Sequence, residues 1–207
     1  VAEYERSFPS RGWKVVRTDD RYVGAARNFA ARHARGDYLL FMDDDNVAFP
    51  DEVGTFARVA GRTGADILTC MNAVFEGPEA PAGAPRSFWL PLGADVASGV
   101  FANVFGDANA LVRRTAFEDL GGFTEIYGVG QEDWEFFSKA VLAGRRLEVV
   151  PEPLYWYRHT PDSMTRAVDL RESHFRIVAP YLASQTPAVG NALNFALGRK
   201  LQAEQEL

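Results

Sequence analysis

Apolar and polar positions along this chain switch repeatedly between a period of two and a period of three to four, outlining a succession of strands and helices. Residues 13–18 (WKVVRT) predict a strand. Residues 21–35 then place Val23, Ala26, Phe29, Ala30 and His33 on one helical face, and Gly36 stands where a helix stops. Tyr38–Met42 is apolar without alternation, the pattern of a strand buried on both faces of a parallel sheet, so this first stretch reads as a βαβ unit. Pro50 opens a second helix with Val53, Phe56, Ala57 and Ala60 expected inward, ended by Gly61 or Gly64. Asp66–Phe75 predicts the next strand, and residues 76–85 a surface loop rich in Pro and Gly. Residues 88–105 mix short apolar runs with Gly93, Ser98 and Gly99 and predict no single element. A short strand at Ala108–Val112 follows, then one or two helical turns and a glycine pair. Phe136, Phe137, Ala140 and Val141 give residues 131–143 an amphipathic helical stripe. Strands at 146–151 and 154–159, a polar loop from His159 to Arg166, and helices at 169–182 and 191–207 complete the pattern.

Composition narrows the class. At 207 residues and 22.9 kDa the chain suits one domain with a sizeable core. Its 47% hydrophobic and 24% charged residues are ordinary for a globular protein, which argues against disorder. A net charge of -6 leaves no basic footprint for nucleic acid. Cys70 stands alone in an apolar run, which excludes an internal disulfide framework and suggests inert core. No apolar stretch approaches the ~18 residues needed to cross a bilayer, and no signal peptide is expected before Val1. The expectation is a cytoplasmic enzyme or domain, with membrane association through a portion outside this chain left open.

Candidate chemistry lies in two acidic centres. Asp43, Asp44, Asp45 and Asn46 follow directly on the Tyr38–Met42 strand, and ligands in open α/β sheets bind beyond the carboxyl ends of strands. In extended geometry Asp43 and Asp45 point one way and Asp44 the other. Such carboxylates suit a divalent cation, or equally a solvated acidic turn. Glu132, Asp133 and Glu135 occupy the first turn of the predicted 131–143 helix. The helix dipole favours acids there by ~0.3–1 kcal/mol, which is reason enough for their presence. The flexible GVG stretch before them, however, suits close approach of a ligand. Arg27 and Asn28 interrupt a small-residue surface, where they reach a phosphate or nucleobase or are merely solvated.

Four segments in order, ARNFAARHARGDYLLFMDDDN, GDANALVRRTAFEDLGGF, GQEDWEFF and VPEPLYWYRHTPDSM, resemble family 2 glycosyltransferases of the GT-A fold. The resemblance runs from about Trp13 to Arg166, leaving residues 167–207 as C-terminal helices of the same domain. It implies an α/β, Rossmann-like architecture with a mixed, mostly parallel sheet flanked by helices. It also implies transfer of a sugar from a nucleotide diphosphate sugar to a hydroxyl of a glycan or lipid-linked acceptor, as in polysaccharide biosynthesis. Asp43-x-Asp45 matches the family's DXD motif: Asp45 would bind Mn or Mg, with Asp43 and Asp44 contributing metal, ribose or sugar contacts. Asp133 would be the general base of an inverting displacement, and Glu132 would hold acceptor or donor hydroxyls. Asp107 and Asn109 fall in the donor-sugar segment, Trp134 would stack on an acceptor ring, and His159 matches a further metal ligand. Loops around Pro78 and Thr160 are candidate lids.

One departure stands out. Family members normally begin with a strand, an IPTYN-type turn and a second strand ending in an acid that reads uracil, and nothing before Trp13 matches these. The expectation is a fold truncated at its N-terminus, with an exposed sheet edge open to a homodimer contact or to a segment from elsewhere. Two other classes compete: a non-catalytic carbohydrate-binding or assembly module on the same fold, and a nucleotidyltransferase. Against the latter, no Gly-rich phosphate loop with a following Lys is present. Donor sugar, nucleotide base and acceptor are not legible in the sequence, and retaining enzymes share this scaffold.

Overall fold

In the computed structural model, residues 12–77, 79, 81, 83–126, 130–160, 170–184 and 187–205 are described. Their elements in chain order are α1 (Val23–His33), β1 (Tyr38–Leu40), β2 (Val47–Ala48), α2 (Glu52–Thr63), β3 (Ile67–Glu76), β4 (Ser87–Trp89), α3 (Val96–Gly99), β5 (Leu111–Arg113), α4 (Arg114–Asp119), α5 (Glu132–Leu142), β6 (Leu147–His159), α6 (Leu170–Ser184) and α7 (Pro187–Gln205). The two long strands β3 and β6 form the spine and pair in parallel from Ile67 opposite Leu147 to Glu76 opposite His159. The sheet order is β1-β5-β3-β6-β2, with β4 beside the distal half of β3.

The mixed α/β architecture is as expected, but the parallel majority is not. Among the described residues only β3 and β6 pair in parallel, while β1–β5, β3–β5, β3–β4 and β2–β6 are antiparallel. β1, β3 and β6 still run in one sense, because β5 is inserted against the grain between β1 and β3. Burial on both faces selects apolar side chains whatever the direction of the neighbouring strand, so apolarity could not reveal this insertion. Residues 13–18 form no strand: Trp13 and Val15 are 55% and 39% exposed, and the outer edge of β1 carries no strand among the described residues. A β-branched run needs a ladder strand beside it, and none lies there among the described residues.

Side chains alternate between two cores. Leu39, Ile67, Val112 and Leu147 face a cluster built with Phe117, Phe123, Trp134, Phe136 and Phe137. Leu68, Cys70, Leu111 and Val150 face Phe56 and Ala60 of α2. Burial raises the Cys70 thiol far above its ordinary range, so it is a poor nucleophile. A third cluster joins Val100 to Val178 and Tyr181 of α6 and Leu197 of α7. No helix of the described residues is long and apolar enough to cross a membrane.

Two helices are rotated from the expected orientation, each because a polar residue is drawn inward. α2 buries Phe56 and Ala60 as anticipated, but Val53 is 66% exposed and Ala57 faces out, while Glu52 is buried on a hydrogen bond from Asn109 Nδ2 (2.6 Å). α1 buries Gly24, Ala25 and Asn28 instead of Val23, Phe29 and His33. A Cβ on Gly24 would lie 2.4 Å from the Thr124 carbonyl oxygen, so only glycine permits this approach. At the sheet end where β5 finishes, Asp66 ties three strands: its carboxylate accepts from Arg113 Nε (3.1 Å) and from the Arg146 N–H (3.1 Å), and its carbonyl accepts from the Arg113 N–H (2.7 Å).

Candidate active site

Beyond the C-terminal end of β1, against the last residues of β6, a cavity of about 690 Å³ gathers both acidic centres. Asp43, Asp44, Asp45, Asp107, Glu132 and Asp133 all line it, with Arg27 among them. Ladder pairing of β1 stops at Leu40, and the chain turns at Asp44–Asp45 with the Asn46 N–H 3.3 Å from the Asp43 carbonyl. The turn replaces the alternation expected from extended geometry, so all three acids face one space. Arg158 fixes the turn from β6: its N–H donates to Asn46 Oδ1 (3.1 Å) and its Nε to the Asp45 carbonyl (3.0 Å), while its guanidinium stacks 4.5 Å over Phe75.

The charges are strongly interdependent. Arg27 Nη1 donates to Glu132 Oε1 at 2.6 Å, and its Nη2 pairs with Asp43 Oδ1. Burial works against its charge, but Asp43 and then Glu132 more than offset this and hold the guanidinium protonated. Asp45 is raised first by burial and then by its neighbours Asp43 and Asp44. Asp107, whose Oδ1 accepts from the Asn109 N–H at 3.0 Å, is pushed up to about 6, chiefly by burial. Asp133 is pushed up to about 8, by burial first and then by Glu132 and Asp107. Carboxylates so displaced in a cleft make it a candidate functional site. The base candidate therefore sits in a site with more negative charge than Arg27 alone balances.

Local geometry explains the placement. β5 runs opposite to β1, so Asp107, just before β5, meets the acids just after β1. Gly106 permits the entry: its φ is +145°, and a Cβ there would lie 2.4 Å from Thr69 Cγ2. Gln131 adopts a left-handed conformation (φ 64°, ψ 34°) and turns the chain into α5, projecting Glu132 and Asp133 from the first turn. Asn103 Nδ2 bonds the Gly106 carbonyl (2.9 Å) and lies 3.5 Å from Asp133 Oδ2.

Other expected site residues lie elsewhere or face differently. Asn28 is outside the cavity lining; its Nδ2 donates to the Phe123 carbonyl and to Glu125 Oε1 (both 2.8 Å), and its Oδ1 accepts from the Phe123 N–H (2.9 Å). Asn109 is fully buried behind the wall, held by Glu52. Trp134 reaches the lining but is 8% exposed, and its indole N–H is taken by the Gly99 carbonyl (2.6 Å), leaving little ring face for stacking. His159 is outside the lining, with Nδ1 3.2 Å from Glu76 Oε1. Thr160 borders the cavity; Pro78 and residues 128–129 of the GVG stretch lie outside the described residues. Sequence reasoning missed Asn72, Trp89, Asn103, Tyr157 and Arg158 of the lining. Only the aromatic run LYWYRH offered a signal, for the last two. Burial and then Asp107 push the Tyr157 hydroxyl up to about 12.

Among the described residues no three His, Cys, Asp or Glu side chains form a cage able to hold a cation alone. A divalent ion that takes one or two carboxylates and completes its shell with phosphate oxygens and water needs no such cage. The Asp43–Asp45 turn, with three carboxylates lining the cavity and Arg27 paired to Asp43, fits that donor set.

The profile of Glycosyl transferase family 2 matches residues 1–121, more than half of the chain. The chain belongs to this family. A second profile, Glycosyltransferase like family 2, covers residues 94–196 of the same family 2 chain. The succinoglycan biosynthesis protein ExoM of Rhizobium meliloti (strain 1021) is 28% identical over 186 residues, covering 84% of the family 2 chain and 58% of ExoM. Among solved structures, S. aureus TarS residues 1–349 with UDP-GlcNAc superposes with a TM-score of 0.67 at 17% identity, covering 93% of this chain and 57% of that one. The mannosyltransferase PcManGT from Pyrobaculum calidifontis, in complex with GDP-Man and Mn2+, gives 0.54 at 16% identity, covering 98% and 61%. The family 2 chain thus has the GT-A fold and spans a little under two thirds of the length of these relatives.

Proposed function

We propose that this chain catalyses metal-dependent, inverting transfer of a sugar from a nucleotide diphosphate sugar to a hydroxyl of a glycan or lipid-linked acceptor, in polysaccharide or glycoconjugate assembly. The observation that carries the reading is the convergence of Asp43–Asp45, Asp107 and Glu132–Asp133 on one cavity. Nucleotide sugars in the TarS and PcManGT complexes support the donor class, and the ExoM resemblance supports the setting. Mn or Mg would be held by Asp45 with Asp43 or Asp44. The ion, when bound, neutralises charge on the departing diphosphate.

The side chains divide the remaining work. Arg27, poised between Asp43 and Glu132, offers a cation to the diphosphate. Asp107 and Glu132 accept hydrogen bonds from sugar hydroxyls. Asp133 takes the proton of the attacking hydroxyl, and its raised carboxyl matches the task, because a base works best with a pKa near the working pH.

The test is calorimetry with Mn and a panel of UDP- and GDP-sugars, followed by release of nucleoside diphosphate in the presence of acceptor. Donor binding should require metal and vanish in Asp45→Ala. Asp133→Asn should keep donor affinity while turnover falls by ~10²–10⁴. Metal-independent sugar binding without turnover would instead identify a carbohydrate-binding module.

A further inference from the structure

We infer that α6 serves the reaction centre through Arg176, a positioning residue that fixes the segment delivering Glu132 and Asp133; this rests on the base role assigned to Asp133. Arg176 is 8% exposed, and its guanidinium grips backbone on both sides of residues 127–129. Nη2 donates to the Ile126 carbonyl (3.0 Å) and Nη1 to the Gly130 carbonyl (3.3 Å). Nη1 also donates to Tyr22 Oη (2.7 Å), and Nε lies 3.5 Å from Glu135 Oε2. Tyr22 caps α1, which carries Arg27, and Glu135 belongs to the first turn of α5. One side chain from α6 therefore ties together the helix that carries Arg27 and the helix that carries Glu132 and Asp133.

Two observations give the grip a purpose beyond charge pairing. Glu135 Oε1 also meets Lys139 Nζ at 2.7 Å, so Arg176 is not the acid's sole cationic partner. Gln131, next to the gripped Gly130, is the one non-glycine residue with positive φ among the described residues. A left-handed side-chain-bearing residue persists only where its surroundings fix it. Gly130 and Glu132 flank it, so relaxation of Gln131 would swing the first turn of α5 and displace Asp133. An arginine fork spans two carbonyls at once; a lysine in its place keeps the charge near Glu135 and loses the span.

The experiment compares Arg176→Lys with the native chain, in the native and Asp133→Asn backgrounds and combined with Gln131→Gly. kcat is measured at saturating donor and acceptor, and donor affinity by calorimetry. Arg176→Lys is expected to lower kcat at least tenfold with donor affinity within threefold. In the Asp133→Asn background it should lower the residual rate less than twofold, because the displaced base is already gone. Gln131→Gly should restore at least threefold of the loss, since glycine adopts this conformation without strain. Native kcat in Arg176→Lys, an equal loss in both backgrounds, or no rescue overturns the positioning role while leaving the base reading intact. Native turnover in Asp133→Asn overturns the base reading and the inference with it. Should Arg176→Lys fail to fold, Tyr22→Phe removes one partner from the same grip and is expected to lower kcat in the same direction; an unchanged kcat there overturns the role.

Discussion

Removing the Asn28 side chain should unfold the protein sooner without touching its binding site. Asn28 is buried, and it satisfies both backbone polar groups of Phe123, itself 3% exposed. In Asn28→Ala the Phe123 N–H and carbonyl lose these partners under an intact fold. Two buried unpaired groups at about 1–3 kcal/mol each set an expected loss of about 2–6 kcal/mol. For a chain of this length that lowers the melting temperature by roughly 4–24 °C. Asn28→Asp should be worse: it keeps the acceptor for the N–H but sets a carboxylate against the Phe123 carbonyl and Glu125. Urea unfolding followed by circular dichroism reads the stability, and calorimetry at 15 °C reads donor affinity of the folded variants. Asn28→Ala within about 0.5 kcal/mol of native, or a tenfold loss of donor affinity with unchanged stability, would refute the structural assignment.

Three further outcomes are expected. Asp133 and Asp107 have folded carboxyls raised above their unfolded values, so the folded state binds more protons and metal-free stability should fall as pH rises from about 4 to about 8; urea titrations across that range should show the fall, and Asp133→Asn should flatten it. Glu52, raised by burial, accepts from Asn109, so Glu52→Gln should be tolerated, while Glu52→Ala should cost about 1–3 kcal/mol by stranding the Asn109 amide, as read by urea unfolding. Gly106→Ala should weaken donor binding at least tenfold in calorimetry, because a Cβ 2.4 Å from Thr69 pushes the chain entering Asp107 out of place.

Much of the scaffold was legible because periodicity reports burial. α2, α5 and β3 fell near their expected bounds, the two strands expected at 146–151 and 154–159 run on as the single β6, and Phe56, Ala60, Phe136, Phe137 and Ala140 are core. What periodicity does not report is strand direction or the pull of a buried polar group. β5 hid its sense for the first reason, and α1 and α2 turned inward on Asn28 and Glu52 for the second. In the site, acid-rich segments marked both centres, and the cavity joins them. Asn103 and Trp89 escaped notice because residues 88–105 have no period, their conformation being set by distant contacts such as the bond from Thr69 Oγ1 to the Phe105 carbonyl (2.7 Å).

The reversed insertion of β5 gives the two ends of the sheet separate occupations. The end that holds the cavity joins the turn after β1, the segment before β5 and the first turn of α5 to side chains of β3 and β6. At the other end Asp66, Arg113 and Arg146 knot the strands together, remote from any chemistry. A saturation-mutagenesis library should divide accordingly: losses of turnover with full expression on one end, and losses of soluble yield on the other. Edits aimed at the proposed donor specificity therefore belong at the first end, around Gly106 and the acids, and not at the second.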